Sequence, residues 1–359
     1  MALQQRKALR QNPTQEVTTA LHFGTPLLES AVSLIENGRR FYRGHEAIRL
    51  AQERPFEAVV GLLWLDDLAA DLFGERDEAW ETAVLQKLAA FEPQLANQPM
   101  MTTLQTMLPQ LALEDWAAYE LGRAGVVQTG VRLLRLLTLC VTRQPLVESF
   151  AASLQQAWRP EREETAVLLN MALVLCADHE LNVSSFTARC VASAGATPYG
   201  VVQAGLAALQ GNKHGGHSAR ATALLREIGQ PANVRRVIGE WLRRGETIPG
   251  FGHGIYVNGD PRGRLLLAEI WRLCGEENEV IRVVEAVIGE VNGRLGRQPN
   301  IDLSLATLAV AFDLPRDAAL TLFALGRTAG WLAHALEQYQ RDELIRPRAK
   351  YVGRVPPQS

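Results

Sequence analysis

The chain has 359 residues, of which 47% are hydrophobic and 21% are charged, a composition that excludes a disordered or fibrous protein. Its 37 Lys and Arg side chains nearly balance 39 Asp and Glu side chains, and the formal net charge of -2 excludes a strongly basic surface for nucleic acid or an anionic membrane. The length predicts two domains, or one domain with a large insertion.

The amino-terminal segment MALQQRKALRQNPTQ has basic residues but no apolar run behind them, so we expect neither a secretory signal nor a lipid anchor. The longest apolar stretch, Ala166 to Ala177, is interrupted by Asn170 and is shorter than the ~18 residues of a membrane span. A cytoplasmic protein is the resulting expectation. The cysteines are widely spaced, as in buried free thiols of a reducing compartment, at Cys140, Cys176, Cys190 and Cys274.

Helical periodicity dominates the apolar pattern along the chain. A short strand ribbon is predicted only around Leu34 to Tyr42, where Asn37-Gly38 supplies a hairpin turn. Apolar residues between Val280 and Val291 recur at helical spacing, and similar stripes fill most of the sequence. Gly- and Pro-containing loops divide the second half into helices, without internal repeats or a long tether. We therefore predict an all-α protein in which any two domains share an interface.

Three histidines lie in loops or at helix ends beside glycine or acidic residues. They are His179 in ADHELNVSS, His214 in GNKHGGHSAR and His253 in TIPGFGHGIY. A lone histidine is usually a structural group. Glycine beside His214 and His253 favours a functional role, because it lets a ligand approach the backbone closely.

Known nucleotide-binding and catalytic motifs do not fit these glycine-rich loops. Ile255 occupies the place of the third glycine of a dinucleotide fingerprint, no strand precedes it, and GNKHGG lacks the ending of a Walker loop. No G-x-S-x-G elbow for a hydrolase occurs. His214 and His217 have a spacing that can face one metal ion on a helix, but no third and fourth ligand lies at a recognisable spacing, and Asp178 and Glu180 are no more than candidates.

Several charged residues near the end of the chain have two interpretations each. Asp302 in QPNIDLSLA stands at a predicted helix start, where an N-cap explains an acidic residue without catalysis. Arg327 in FALGRTAGW, and Arg346 and Arg348 in LIRPRAKYVG, are explained equally well as surface charges or as partners of helix carboxyl termini. Taken singly, these residues do not decide the function.

Taken in order, these segments resemble the citrate synthase family from about Thr18 to Gly353. RRFYRGHEAIRLAQERPFEAVVGLLW resembles its early "YRG" region, and the stretch from ADHELNVSS to GNKHGGHSA resembles its path from an Asp-His-Glu segment to a His-Gly-Gly turn. GFGHGIYVNGDPR, NID, and GRTAGWLAHALEQ with LIRPRAKYVG resemble its later motifs.

The resemblance implies an all-α homodimer in which each chain has two helical domains. The large domain comprises residues 1–215 and 314–359, and the small domain, residues 216–313, is inserted after the His-Gly-Gly turn. The family closes the small domain over oxaloacetate before the acyl-CoA site is complete, which excludes water until condensation.

The resemblance also implies the reaction, the condensation of acetyl-CoA with oxaloacetate to citrate and CoA in the tricarboxylic acid cycle. Asp302 matches the base that removes a methyl proton from acetyl-CoA. His214 matches the neutral imidazole that donates a hydrogen bond to the thioester oxygen as the enol forms. His253 matches the histidine that polarises the oxaloacetate carbonyl. Neither a metal nor a redox cofactor is expected.

Substrate-binding residues follow from the same matches. His179, Arg262 and Arg327 match groups that bind oxaloacetate, and Arg346 matches an arginine that reaches in from the other subunit; guanidinium groups suit this because they pair bidentately with carboxylates. Asn182 and Ser184 match polar residues near the first histidine. The loop expected to wrap the CoA adenine comprises Thr247, Ile248, Pro249, Gly250, Phe251 and Gly252.

The sequence departs from the family pattern beside two catalytic histidines. His217-Ser218-Ala219 replaces Ala-Asn-Glu after the His-Gly-Gly turn, and Gly254, Val257 and Asn258 replace basic residues that often lie near the CoA phosphates. We then expect these phosphates at Lys213 or Arg264. Two alternatives remain open, a 2-methylcitrate synthase that uses propionyl-CoA and a catalytically silent protein that binds a dicarboxylate or an acyl-CoA.

Overall fold

The structure, a computed structural model, describes residues 28–256, 258–347, 349 and 351–354. Within these residues it contains fifteen α-helices and one three-stranded sheet, so the predicted all-α class is confirmed. Residues 1–27 of the expected large domain, with the amino-terminal segment discussed above, lie outside the described residues, as do Val257 and Arg348.

The predicted ribbon near the amino terminus is present. Strands β1 (Ser33–Glu36), β2 (Arg39–Tyr42) and β3 (His45–Glu46) pair antiparallel in that order. Asn37 and Gly38 form the turn between β1 and β2 with φ of 52° and 75°, the positive values that a two-residue hairpin turn requires. On β2, Arg40 and Tyr42 are the buried side chains, so this strand directs a cation into the protein.

Helices joined by short loops form the rest of the described chain, with 3-10 turns at Trp116–Tyr119 and Pro231–Asn233. In chain order the helices are α1 Ala47–Glu53, α2 Phe56–Leu65, α3 Glu78–Leu95, α4 Met100–Ala112, α5 Arg123–Thr142, α6 Phe150–Trp158, α7 Thr165–Cys176, α8 Val183–Ser193, α9 Pro198–Leu209, α10 Gly216–Ile228, α11 Val234–Arg243, α12 Pro261–Cys274, α13 Glu279–Leu295, α14 Ile301–Ala311 and α15 Ala318–Arg341.

Helix α13 shows how local sequence sets the limits of a helix. The Asn278 side chain accepts hydrogen bonds from the N–H groups of Val280 and Ile281 at its start, and Gly296 ends it in the left-handed conformation with φ of 61°. The predicted apolar stripe is its buried face, which includes Val284 and Val287. This prediction is confirmed.

Helix α15 crosses the centre of the protein and is buried on nearly every side. Gly326 faces α7 so closely that a Cβ there would lie 2.6 Å from the carbonyl oxygen of Leu173, and the N–H of Gly330 donates to the carbonyl of Ala177 at 3.0 Å. Glycine is needed where two helix backbones approach this closely. The contact places Arg327 beside the turn that follows α7.

The buried apolar residues form two clusters. The larger is built from the hairpin, α1 to α9 and α15, with further residues from α12, α13 and α14, while the smaller extends from Ala221 to Ala306 within the expected small domain. Helix α14 contributes to both, with Leu303 and Ala306 in the smaller cluster and Leu305 in the larger one. The smaller cluster lies within residues 216–313, but the larger cluster also contains residues from this range, so the division at 216–313 and any separate movement of the two parts remain predictions.

Helix α5 is the one helix of the described chain that is long and apolar enough to cross a membrane. However, 72% of its most apolar window is buried inside the protein. A Cβ added at Gly130 would lie 2.7 Å from the ring of Trp64, so the helix packs tightly against α2. In this structure α5 is a core helix.

Candidate active site

The turn between α7 and α8 carries His179 and is held by strand β2. The guanidinium of Arg40 donates to the carbonyls of Asp178 at 2.7 Å and Leu175 at 2.6 Å, and the hydroxyl of Tyr42 donates to the carbonyl of Val174 at 3.0 Å. A buried cation at a helix carboxyl terminus satisfies carbonyls that have no partner within the helix. Sequence analysis missed Arg40, because nothing local to β2 indicates a contact with residues 175–178.

The two acidic residues of this turn bond to the hairpin and to α15. Asp178 accepts from the hydroxyl of Ser33 and lies 3.2 Å from Nε2 of His334, while Glu180 accepts from the N–H of Ile35 at 2.9 Å. Both carboxylates thus support the turn. Among the residues that the structure describes, no three His, Cys, Asp or Glu side chains form a group able to hold a metal ion.

The loop that carries His253 is attached to the start of α14. The N–H of Gly252 donates to the carbonyl of Gln298 at 2.8 Å. The backbone N–H of Asn300 donates to the carbonyl of Gly250 at 3.0 Å, and the side-chain amide of Asn300 donates to the carbonyl of Gly252 at 2.9 Å. Asn300 also accepts from the N–H of Asp302 at 3.0 Å. The N-cap of α14 is therefore Asn300 and not Asp302, which leaves the Asp302 carboxylate for another role.

Three rings from these two loops meet in one cluster. The ring centroids of His179 and His253 lie 5.1 Å apart, and Tyr256 lies 4.7 Å from His253 and 5.7 Å from His179. The N–H of Ile255 donates to Nδ1 of His253 at 3.1 Å, so the proton of the neutral ring is on Nε2. Burial, assisted by the charge of Arg262, lowers the pKa of His253 to about 4 and the pKa of His179 well below its usual value. Both rings are neutral at pH 7.

Arg262 is fixed at the amino terminus of α12 by Asp260. Its Nε and Nη2 donate to the two carboxylate oxygens of Asp260 at 2.9 and 2.7 Å, and Asp260 also accepts from the N–H of Ile301 at 3.1 Å. Although burial opposes the charge, Asp260 raises the pKa of Arg262. An Asp-Pro pair at a helix start is a capping signal, but the ion pair that fixes the arginine was missed.

Arg327 is a buried arginine whose two terminal nitrogens have no hydrogen-bond partner among the described residues. Its Nε donates to the carbonyl of Cys176 at 2.7 Å, whereas Nη1 and Nη2 are buried and have no hydrogen-bond partner among the described residues. The guanidinium lies 4.9 Å from the ring of Phe323, which also faces His214 with centroids 6.0 Å apart. Burial lowers the pKa of Arg327 to about 10, so it stays charged at neutral pH. A buried, unpaired cation of this shape is suited to a carboxylate.

His214 faces a hydroxyl at the start of α8. Its Nε2 lies 2.8 Å from Oγ of Ser184, which also accepts from the indole N–H of Trp331 at 3.1 Å and lies 2.9 Å from Oδ1 of Asn182. Burial, followed by the charge of Arg327, lowers the pKa of His214 to about 4, so this imidazole is neutral as well. Asn182, expected near the first histidine, donates its side-chain amide to the carbonyl of His179 at 3.3 Å, and Ser184 contacts the second histidine.

Asp302 is the half-buried carboxylate of the cluster, and its Oδ1 accepts a hydrogen bond from the hydroxyl of Ser218. Burial raises the pKa of Asp302 to about 6, against the opposing effect of Ser218. It is thus a stronger base than an ordinary aspartate and is still mostly ionised at pH 7. Ser218 was noted in the sequence only as a departure from an asparagine.

Two groups of predicted site residues make none of the contacts described above. Arg346 is exposed in the segment after α15 and forms no ion pair with a described residue. In the expected CoA loop, Thr247 is exposed and Gly252 is half-buried, but Ile248, Pro249, Gly250 and Phe251 are buried and contribute to the smaller core or to the contact with α14. Lys213 and Arg264, expected near the CoA phosphates, are both exposed.

Comparisons with known proteins agree on one family. The sequence model described as "Citrate synthase, C-terminal domain" matches residues 21–348. The chain is 30% identical over 359 aligned residues to "Citrate synthase 2" of Bacillus subtilis (strain 168), covering 92% of this chain and 94% of that protein. It is 30% identical over 337 aligned residues to the 2-methylcitrate synthase of Mycobacterium tuberculosis (strain ATCC 25618 / H37Rv), covering 87% and 84%.

A solved structure with the same fold is that of a citrate synthase from the thermophilic archaeon Thermoplasma acidophilum. It superimposes with a TM-score of 0.75 at 22% identity, covering 94% of this chain and 96% of that one. That protein was captured in a ternary complex with carboxymethyl coenzyme A and oxaloacetate.

Proposed function

The chain belongs to the citrate synthase family, and from this premise we propose that it condenses acetyl-CoA with oxaloacetate to give citrate and CoA. The observation that carries the proposal is the buried Arg327, whose Nη1 and Nη2 have no partner among the described residues and whose charge acts on the neutral rings of His179 and His214. The neutral ring of His253 lies 5.1 Å from that of His179. This arrangement fits a substrate with a carboxylate and a ketone.

Oxaloacetate binds where the unused donors converge. One carboxylate pairs with Nη1 and Nη2 of Arg327, and the other reaches the edge of Arg262 that Asp260 does not occupy. Nε2 of His179, buried and without a partner among the described residues, is available for the same ligand. Nε2–H of His253 donates to the ketone oxygen and polarises it for attack. Arg346 of a second subunit completes the site in a homodimer.

Enolisation of acetyl-CoA uses Asp302 and His214 as a pair. Asp302 takes a proton from the methyl carbon, and His214 donates a hydrogen bond to the thioester oxygen, where negative charge develops. Because Nε2 of His214 faces Ser184, the N–H for the substrate is on Nδ1 and the Ser184 hydroxyl donates to Nε2. The single proton of Ser184 is directed to Oδ1 of Asn182 at 2.9 Å in the structure, and in this proposal it turns to Nε2 of His214. The indole N–H of Trp331 donates to the same hydroxyl oxygen.

Condensation and hydrolysis follow at the same site. The enolate carbon attacks the ketone carbon of oxaloacetate, and His253 transfers its Nε2 proton to the new alkoxide. The proton that Asp302 removed from the methyl group then returns through solvent to His253, which restores both groups. Water then hydrolyses the citryl-CoA thioester, which releases citrate and CoA and drives the reaction forward. The coenzyme A thioester is a substrate, and no step in this proposal requires a metal or a redox cofactor.

The two parts of the chain each supply some of the proposed site residues. His179, His214 and Arg327 belong to residues 1–215 and 314–359, whereas His253, Arg262 and Asp302 belong to residues 216–313, which contain the second apolar cluster. Movement of the smaller part toward the larger one encloses the substrates and excludes water. We place this homodimeric enzyme in the cytoplasm and its reaction in the tricarboxylic acid cycle.

Propionyl-CoA is the second candidate acyl donor, which would make the enzyme a 2-methylcitrate synthase. Its support is the similarity to a 2-methylcitrate synthase over 87% of the chain, together with the lack of a side chain at Gly254 next to His253. The acyl-CoA loop, from Thr247 to Gly252, offers no further discrimination between the two thioesters.

The test is CoA release from acetyl-CoA and from propionyl-CoA in the presence of oxaloacetate. We expect turnover by the wild-type protein and a loss of at least ~10²-fold in Asp302→Ala, the usual effect of removing a general base. Asp313→Ala, which removes an exposed aspartate just beyond α14, is the matched control and should keep full activity. A wild-type protein that binds oxaloacetate but releases no CoA from either thioester would instead be the silent relative.

A further inference from the structure

Ser218 is a buried hydroxyl outside the residues assigned to the reaction above. It is the third residue of α10, four positions after His214, and its side chain is fully buried. Its N–H donates to the carbonyl of Gly215 at 2.9 Å and its carbonyl accepts from the hydroxyl of Thr222 at 3.0 Å, so its backbone is fixed. The hydroxyl proton goes to Oδ1 of Asp302.

The two oxygens of Asp302 are therefore not equivalent. Its backbone N–H is held by the cap residue Asn300 and its Oδ1 by Ser218, while Oδ2 accepts no hydrogen bond from any residue that the structure describes. The side chain is only half-buried, so one edge of the carboxylate remains accessible. A carboxylate tied at one oxygen has lost the rotation that would exchange the two.

From this geometry, and resting on the function proposed above, we propose that Ser218 is a positioning residue that holds Oδ1 of Asp302 so that Oδ2 alone takes the proton from the acyl-CoA. Both residues lie within 216–313, so closure of this part does not break the contact. Because His214 lies just before α10, the same contact fixes the distance between the base and the residue that stabilises the enol.

The proton balance assigns Ser218 no chemical step. The C–H bond of the acyl methyl group breaks, its proton moves to Oδ2 of Asp302, and its electron pair forms the C=C bond of the enolate, whose oxygen accepts a hydrogen bond from His214. Ser218 keeps its own proton throughout. Its hydrogen bond favours the ionised carboxylate, so it makes the base slightly weaker while orienting it.

The experiment compares wild type with Ser218→Ala, Ser218→Cys and Ser218→Thr in the full chain. In Ser218→Ala the acid limb of the kcat/KM profile for acetyl-CoA, which follows the ionisation of Asp302 with its pKa of about 6, should move up by ~1 pH unit. We expect kcat above the limb to fall ~10-fold, since the carboxylate can now rotate. Ser218→Thr should restore both values, and Ser218→Cys, a weak donor of similar size, should move the limb in the same direction as Ser218→Ala.

The control is Thr307→Val, which removes a buried hydroxyl of α14 that bonds only to the carbonyl of Leu303 and should leave the limb in place. The titration of Asp302 is also read without turnover, by ¹³C NMR of carboxyl-labelled protein with the signal assigned by its loss in Asp302→Asn. If the wild type is active and the pKa of Asp302 is the same in Ser218→Ala and Ser218→Cys as in the wild type, the proposed role of Ser218 is wrong. If the wild type is inactive but the pKa of Asp302 does change in these variants, the contact between Ser218 and Asp302 stands and the proposed function is wrong.

Discussion

The two sides of the proposed cleft hold their functional groups in different ways. On the larger side, Arg327 and His179 are fixed within packed helices and by the buried Arg40, and several of their donors have no partner among the described residues. On the smaller side, His253 and Asp302 are on a loop and a helix start joined by Asn300. The larger side thus resembles a rigid anion receptor, and the smaller side positions its reactive groups through hydrogen bonds between loops.

The largest effect is expected from breaking the receptor at Arg327. Arg327→Met should lower kcat/KM for oxaloacetate by at least ~10²-fold, because a bound carboxylate then lacks its bidentate partner. The same change should leave the protein as stable as wild type or raise its Tm by about 2 °C, because an unpaired buried cation is removed. Steady-state kinetics and a thermal melt measure the two effects.

Arg272→Met is the matched control, because Arg272 is an exposed arginine of α12 paired only with Glu269. It should change neither quantity. An Arg327→Met protein with normal kcat/KM for oxaloacetate would show that the larger side is not the receptor.

An intermediate effect is expected on the smaller side, at Asn300. Asn300→Ala removes a helix cap and the link to Gly252, so we expect a loss of about 1–2 kcal/mol in the free energy of unfolding and a ~10-fold lower kcat. Asn278→Ala removes the equivalent cap of α13, away from the histidine loop. It should lower stability similarly with no change in kcat, and equal kcat losses in the two variants would contradict the positioning role of Asn300.

The last effect is read from stability alone and concerns the energetic cost of the Asp302 carboxylate. Its pKa is raised from 3.8 to about 6 in the folded protein, so stability falls as the pH rises from about 4 to 6 and the deficit persists above pH 6. Asp302→Asn should therefore raise the free energy of unfolding at pH 8 by about 3 kcal/mol and have little effect at pH 4. Urea unfolding at both pH values measures this free energy. A gain in stability at pH 4 and none at pH 8 would contradict the prediction.

Sequence analysis succeeded where the physical cause is local. The Asn37-Gly38 hairpin and helix α13 follow from turn chemistry, caps and apolar spacing within a few residues, and the structure contains both. The cap at the start of α14 could not be chosen from the sequence, because Asn300 and Asp302 are both good capping residues and only their hydrogen bonds in the structure distinguish them.

The contacts missed by the sequence join residues that are far apart along the chain. Arg40 bonds the turn at Asp178, and Ser218 bonds Asp302, 84 residues away. No periodicity or motif records such pairs, since each depends on how helices pack. Family resemblance supplied candidate roles for the histidines and arginines but none for these two residues, which hold the site in place.

A crystal structure with oxaloacetate and carboxymethyl coenzyme A is the most direct test of the central claim, that one cleft unites the two sides. We expect a carboxylate of oxaloacetate on Nη1 and Nη2 of Arg327, its ketone oxygen within hydrogen-bond distance of Nε2 of His253, and the carboxymethyl carbon next to Oδ2 of Asp302. Oxaloacetate bound elsewhere, with the fork of Arg327 still empty, would contradict the account.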